Sequence, residues 1–275
     1  MNCKSFYNKN KSIKNVVIIT LLSNKNYENI FSENFGSYDK YILKKNVDMI
    51  VHTLERNNIK NKLKLDYVNT EYNVKRYKTL GKNTVYIYGA NLHLPPGVQS
   101  FEETTKKHPR SYCHPKQNMS YSLSTRYYTN QMLKIQLLKK YDFFFKIDAD
   151  VKILQKVNLL KTVRTYNPYF LHTKMYTNEN PLCDKDAFKI SKKYCFLKNW
   201  ENHNYIYYSN FIGGNVDLFT SDIIIEYSDF MWNYGWNYRW GDQTFWRYAL
   251  LISNTTNKIL DKSVWRGRIF RHKNE

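Results

Sequence analysis

An α/β fold with a mostly parallel central sheet flanked by helices is what this 275-residue chain predicts. Three observations carry that reading. Short β-branched or aromatic runs alternate with stretches of helical length and period. The run Phe143–Ile147 is a buried strand that ends in two carboxylates, where open α/β sheets place their ligands. The composition, 42% hydrophobic and 17% aromatic, supplies a core and excludes general disorder.

The elements follow in order. Residues 1–14 are polar, rich in Lys and Asn, and read as a tail. Asn15–Leu22 reads as a buried first strand closed by the polar turn Ser23–Asn26. A helix is expected over Asn26–Phe35, and strands over Val47–Thr53 and Thr84–Tyr88. Gly89 to Pro115 holds Pro95, Pro96, Gly97, Pro109 and Pro115, and reads as a lid-like excursion. Asn118–Lys140 is expected to be one helix, leading into Phe143–Ile147. Asn158–Tyr166 reads as a helix, Tyr169–Lys174 as a strand and Ala187–Asn199 as a helix. Tyr205–Phe219 reads as strand, Gly-Gly turn and second strand, and Asp222–Trp232 and Asp242–Leu251 as helices. The expected organisation is therefore a tail, 1–14, and a single domain, 15–275.

Lys and Arg number 43 against 23 Asp and Glu, a net charge of +20. That balance favours anionic partners without choosing among nucleic acid, nucleotides and membrane surface. No nucleic-acid-binding motif is present, so a nucleic-acid partner is not expected, although basic and aromatic residues together keep that class as a rival. Four cysteines without a C-x-x-C pair exclude zinc-ribbon and redox-motif readings. The N-terminus lacks the apolar core of a signal peptide, and Asn15–Leu22 is too short to span a bilayer. As it stands the chain reads as cytoplasmic, with a secretory-pathway or membrane-associated parent protein as the alternative.

Asp148-Ala149-Asp150 is the most informative site. Across one residue of extended chain two side chains share a face. A divalent cation relieves the repulsion between them, and hard carboxylate oxygens suit Mn²⁺ or Mg²⁺, which in turn bind a diphosphate.

Three further segments carry a resemblance. They are Arg126-Tyr-Tyr-Thr129, the stretch from Ser209-Asn210-Phe211 to Ser221, and Arg239-Trp-Gly-Asp242. With the strand-end carboxylates they resemble the yeast-type α-1,2-mannosyltransferase family, whose pattern is Ser-Asn-Phe-Glu-Ile-Gly and then Glu-Arg-Trp-Gly-Asp. The resemblance implies a GT-A fold and a metal-dependent glycosyltransferase. It would move a sugar from GDP-mannose or a UDP-sugar to a glycan or glycoprotein acceptor, with retention of configuration. It implies a metal site built on Asp148 and Asp150, with His272 as the substitute third ligand, since many GT-A enzymes bring a late His to the metal. Donor binding would fall to Ser23, Asn24, Arg126, Tyr128, Asp148, Asn210, Gly213, Gly214, Asn215 and Asp217. Asp242 would bind the acceptor or act as catalytic base, with Trp236 and Trp240 stacking on sugar faces. Three departures stand out. The family's Glu-Pro-Asp is Asp148-Ala149-Asp150 here, the Glu proposed there as nucleophile is Ile212, and the His that serves there as a metal ligand after Trp-Gly-Asp falls at Trp246. The second and third departures also fit a degenerate fold kept for binding.

Overall fold

The structure, a computed structural model, describes residues 11–53, 64–69, 74–79, 82–89, 92, 119–177, 187, 189, 191–192, 205–238 and 241–272. The elements run β1 (Val16–Leu22), α1 (Lys25–Tyr41), β2 (Val47–Thr53), β3 (Lys64–Asn69), β4 (Val74–Lys78), β5 (Thr84–Gly89) and α2 (Met119–Arg126). Then follow β6 (Phe143–Ile147), β7 (Val151–Ile153), α3 (Leu159–Tyr166), β8 (Phe170–His172), β9 (Met175–Thr177) and β10 (Tyr205–Tyr207). The chain finishes with β11 (Phe211–Asn215), α4 (Val216–Phe219), α5 (Asp222–Tyr238), α6 (Asp242–Ile252), β12 (Ile259–Asp261) and β13 (Phe270–His272).

Among the described residues, nine strands form one sheet in the order β12-β8-β11-β6-β1-β2-β5-β4-β3. Its middle, β6-β1-β2-β5, is parallel throughout. Every residue of β1 is buried, as expected of a parallel strand covered on both faces. Alternation then divides the core. Val16, Ile18, Met49, Val51, Phe143 and Phe145 pack with Phe31, Phe35 and Tyr38 of α1 and Leu159 and Val163 of α3. Val17, Ile19, Ile50 and Phe144 face the other way, toward Tyr127, Tyr128, α5 and α6.

The helix expected over Asn118–Lys140 is not continuous. After α2 the backbone widens to a π-helical turn, Tyr127–Gln131, and then tightens to 3-10 turns at Met132–Lys134 and Gln136–Lys140. Side chains compete with the backbone ladder there. Thr129 Oγ1 donates to the Thr125 carbonyl, and the Thr129 carbonyl accepts from Ser228 Oγ at 2.6 Å. π-Turns of this kind mark functional segments in many proteins.

Two other expectations change. Gly213-Gly214 is not a turn but the centre of β11, between β6 and β8. A Cβ on Gly213 would lie 2.5 Å from the Phe143 ring, and one on Gly214 2.6 Å from the rings of Phe144 and Phe219. The end of the expected tail is also tied down. Ile13 is buried, its carbonyl accepts from Arg164 Nε at 2.7 Å, and the backbone N–H of Lys14 donates to Asp142 at 2.8 Å. Strands β3 and β4 extend the sheet as an antiparallel pair that the sequence reading did not find. Apart from Gly89 and Leu92, the excursion up to Pro115 lies outside the described residues, as does most of Ala187–Asn199.

Candidate active site at the carboxyl end of the parallel strands

The chain leaves β6 at Ile147 and turns at once. The N–H of Asp148 donates to the Asn210 carbonyl at 2.9 Å, and the Val151 N–H donates back to the Asp148 carbonyl at 3.1 Å. The two carboxylates converge through this turn rather than through the extended chain that the spacing suggested. Tyr38 of α1 fixes the turn from beneath, its hydroxyl donating to the Val151 carbonyl at 2.7 Å.

β13 supplies the third group. It pairs antiparallel with β7, setting His272 opposite Val151, the residue after Asp150. His272 Nε2 lies 3.2 Å from Asp150 Oδ2. One ligand atom from each of Asp148, Asp150 and His272 falls within 4.8 Å of the others. Among the described residues, Asp150 Oδ1 and His272 Nδ1 are buried and meet no hydrogen-bond partner. Buried polar atoms left this way cost stability unless something fills them. Two carboxylates and an imidazole fit a divalent cation such as Mn²⁺, which accepts mixed oxygen and nitrogen ligands.

Lys146 is the residue that sequence reasoning missed. It is 2% exposed, on the strand face opposite Phe145. Its Nζ lies 2.6 Å from Asp148 Oδ1 and 3.7 Å from Asp242 Oδ2, and donates to the Ser209 carbonyl. The ammonium sits 4.4 Å from the centre of the Tyr128 ring, and Tyr128 Oη accepts the Leu21 N–H at 2.8 Å. One lysine thus joins the four segments in which the resemblance lies. The signal was present: a lysine inside Phe-Phe-Phe-Lys-Ile must be buried, and a buried ammonium needs anions around it. Asp242 opens α6 as its first residue, Gly241 being the cap, so its carboxylate stands at the positive end of the helix.

Electrostatics set Asp148 apart. Burial raises its pKa from the ordinary value, Lys146 opposes the rise, and Asp150 and Asp242 add to it. The hydroxyls of Tyr27 and Tyr208 are held protonated to higher pH, chiefly by burial and with both aspartates contributing. Beside the site, at the end of β2, His52 stacks on Tyr88 with ring centres 4.9 Å apart. Burial lowers its pKa to about 3, so the imidazole is neutral.

The sequence candidates divide by position. Asp148, Asp150, His272, Asp242 and Tyr128 converge, and Asn210 joins them through its carbonyl. Among the described residues, both amide atoms of the Asn210 side chain are buried and find no hydrogen-bond partner. Ser23 and Asn24 follow β1 at the same end of the sheet, where Asn24 caps α1 by accepting the Tyr27 N–H at 3.1 Å. Arg126 is half-buried, and the charge nearest to it in effect is Asp229 of α5. Asn215 and Asp217 do not belong to the group. Asn215 stands opposite Phe143, at the far end of β6, about 13 Å along the sheet from Phe211. There it caps α4, and exposed Asp217 lies 3.7 Å from Lys11. Gly213 and Gly214 meet phenylalanine rings, which leaves no space for a sugar over them. Trp240 and the side chain of Trp236 lie outside the described residues.

Comparisons with known proteins agree with this geometry. No family model matches the chain. A probable mannosyltransferase of Candida albicans, MNT3, is 24% identical over 154 residues. The match takes in 48% of this chain and 39% of that relative, so the chain matches well under half of its length. Core-mannan synthase A of Aspergillus fumigatus, solved with Mn and GDP, superposes with a TM-score of 0.67 at 14% identity. That superposition covers 90% of this chain and 72% of the other. The mannosyltransferase Ktr4p of S. cerevisiae in complex with GDP gives a TM-score of 0.65 at 14% identity, covering 92% and 69%. The chain has the GT-A fold and is similar, in sequence and in structure, to yeast-type mannosyltransferases.

Proposed function

We propose that the protein is a metal-dependent glycosyltransferase that takes its sugar from a nucleotide donor, GDP-mannose before a UDP-sugar, and delivers it to a glycan or glycoprotein. The observation that carries this is the convergence of Asp148, Asp150 and His272 where the parallel strands end, with a buried carboxylate oxygen left unfilled. The similarity to core-mannan synthase A solved with Mn and GDP, and to a mannosyltransferase in complex with GDP, supports the choice of donor. Asp148, Asp150 and His272 would hold Mn²⁺, whose chemistry there is to offset the charge that grows on the departing diphosphate.

The remaining residues bind and orient. Ser23 and Asn24 are positioned for the nucleoside and Asn210 for the donor, with Tyr128 shaping the floor through Lys146. Arg126 remains a donor candidate. Asp242, whose carboxylate lies 3.7 Å from the Lys146 ammonium, would accept a hydrogen bond from the acceptor hydroxyl. Trp236 and Trp240 remain candidates for the acceptor side.

Ile212 is fully buried and carries no nucleophile. With the stereochemistry implied by the resemblance, transfer then runs on one face of the sugar. The bond from the anomeric carbon to the phosphate oxygen breaks and its electron pair stays on that oxygen. The acceptor oxygen bonds the anomeric carbon, and its proton passes to the departing phosphate. The decisive measurement is a thermal-shift panel of GDP- and UDP-sugars with and without Mn²⁺, followed by transfer assays. One donor should stand out only with Mn²⁺, and Asp150→Ala should cut turnover at least about 100-fold, in keeping with loss of metal-based charge stabilisation. Small, equal shifts for every donor would sink the proposal, and an inverted product anomer by NMR would sink its single-face route.

A further inference from the structure

We infer that Lys146 is a positioning residue that couples the two halves of the site, shifting its hold from Asp148 to Asp242 when a divalent cation binds; the inference rests on the metal reading above. The two carboxylates serve different ends. Asp148 stands in the turn after β6 with the candidate metal ligands, whereas Asp242, which opens α6, is the residue proposed for the acceptor. An ammonium has three N–H donors. One goes to the Ser209 carbonyl and one to Asp148 Oδ1 at 2.6 Å. Asp242 Oδ2, at 3.7 Å, feels the charge but lies beyond hydrogen-bond length. Among the described residues, neither carboxylate forms an ion pair with any other cation.

The surroundings leave the ammonium little other freedom. The lysine stem runs between Ile19 and Ile212, its register partners on β1 and β11, both fully buried. The centre of the Tyr128 ring lies 4.4 Å from Nζ. A shift of about 1 Å toward Asp242 would bring that carboxylate to the length of a charge-assisted hydrogen bond.

A divalent ion held by Asp148 supplies the reason for that shift. The ion takes up the carboxylate's charge and repels the ammonium, and both effects are strong where water is scarce. Asp242 then becomes the better partner. With Lys146 on it, its carboxylate is fixed at the start of α6 for the acceptor hydroxyl, so the acceptor side is completed only once the metal side is filled. The coupling is reciprocal: whatever draws Lys146 toward Asp242 also favours the metal.

The test uses Mn²⁺ alone, with neither donor nor acceptor. Its affinity is read by electron paramagnetic resonance for wild type, Asp242→Asn, Lys146→Arg, Lys146→Met and the double variants, each checked for folding by circular dichroism. Asp242 is not a candidate ligand, yet Asp242→Asn should weaken Mn²⁺ binding at least about fivefold, because Lys146 then stays on Asp148. That loss should persist beside Lys146→Arg, which keeps the charge, and vanish beside Lys146→Met. Crystals of the wild-type chain with and without Mn²⁺ give a check that needs no variant: with the ion bound, Nζ should leave Asp148 and lie about 2.8 Å from Asp242. A lysine that stays on Asp148 beside bound Mn²⁺, or an Asp242→Asn effect that is absent or equal with and without Lys146, would overturn this inference alone. A wild-type chain that binds no Mn²⁺ at Asp148 and Asp150 would overturn it together with the metal reading.

Discussion

The two ends of β6 carry acids of opposite character. Asp142 stands just before the strand and accepts the N–H groups of Lys14 at 2.8 Å and Asn15 at 3.1 Å, with the Lys11 ammonium at 3.0 Å. Burial alone would raise its pKa, but these donors bring it below the ordinary value. Asp148 stands just after the strand, crowded by Asp150 and Asp242, and its pKa is raised. The first acid is a clasp whose acceptor capacity is filled by the chain itself. The second belongs to a cluster whose charge the chain balances only in part, with a buried oxygen of Asp150 still open. Structure occupies one end of the sheet and leaves the other in need of a ligand.

The sharpest way to break this contrast is to remove Lys146. Leaving Asp148 and Asp242 without their buried counter-charge should cost about 3–5 kcal/mol in Lys146→Ala, measured by urea denaturation. The double change Lys146→Met with Asp242→Asn should cost less. A loss below about 1 kcal/mol for Lys146→Ala would mean that the ammonium does not organise the site.

A smaller effect comes from His52, also at the carboxyl edge. The unfolded imidazole takes up a proton near pH 6.5, and the folded one only near about 3. The unfolded state therefore binds more protons in that window, and stability falls as pH drops through it, by about 2 kcal/mol at pH 5. His52→Phe should flatten the curve between pH 7 and pH 5. An unchanged slope would show that the ring is not the group responsible.

The smallest effects are the most diagnostic, because they should cross. Asp142→Asn should lower stability by about 1 kcal/mol at pH 7 and leave Mn²⁺ binding intact. Asp148→Asn should hold or raise stability and abolish Mn²⁺ binding. The Asp142 contribution is present above the unfolded carboxylate pKa and is lost as pH falls through its lower folded value. The Asp148 shift has the opposite sign, so ionising it on folding costs stability at neutral pH. Parallel rather than crossed outcomes would erase the distinction between the two ends.

Much of this was legible in the sequence. The first strand and the β6 strand are continuous apolar runs, and a parallel strand covered on both faces leaves no other pattern. Asn158, expected to open a helix, accepts the Lys161 N–H at 2.9 Å as its cap. The acid pair was visible because two carboxylates rarely close such a run. Other parts were not legible. Asn210 and Asn215 are close in sequence, but a five-residue strand carries them to opposite ends of the sheet. The glycines suggested a turn, yet neighbouring phenylalanines required them in a strand. The broken helix at Tyr127–Gln131 depends on Ser228 and Trp232, about a hundred residues away, which bond the Thr129 carbonyl and hydroxyl.

By itself the sequence determined the layered α/β plan and the acidic strand end, because apolar periodicity and abrupt charge are local properties. Only the tertiary structure decided which charges meet. His272 reaches Asp150 through the pairing of two three-residue strands, β7 and β13, too short to announce themselves. Lys146 reaches Asp242 because β6 and the start of α6 lie against one another. Contacts between residues far apart in the chain depend on how the elements pack, and local patterning does not encode that packing one residue at a time.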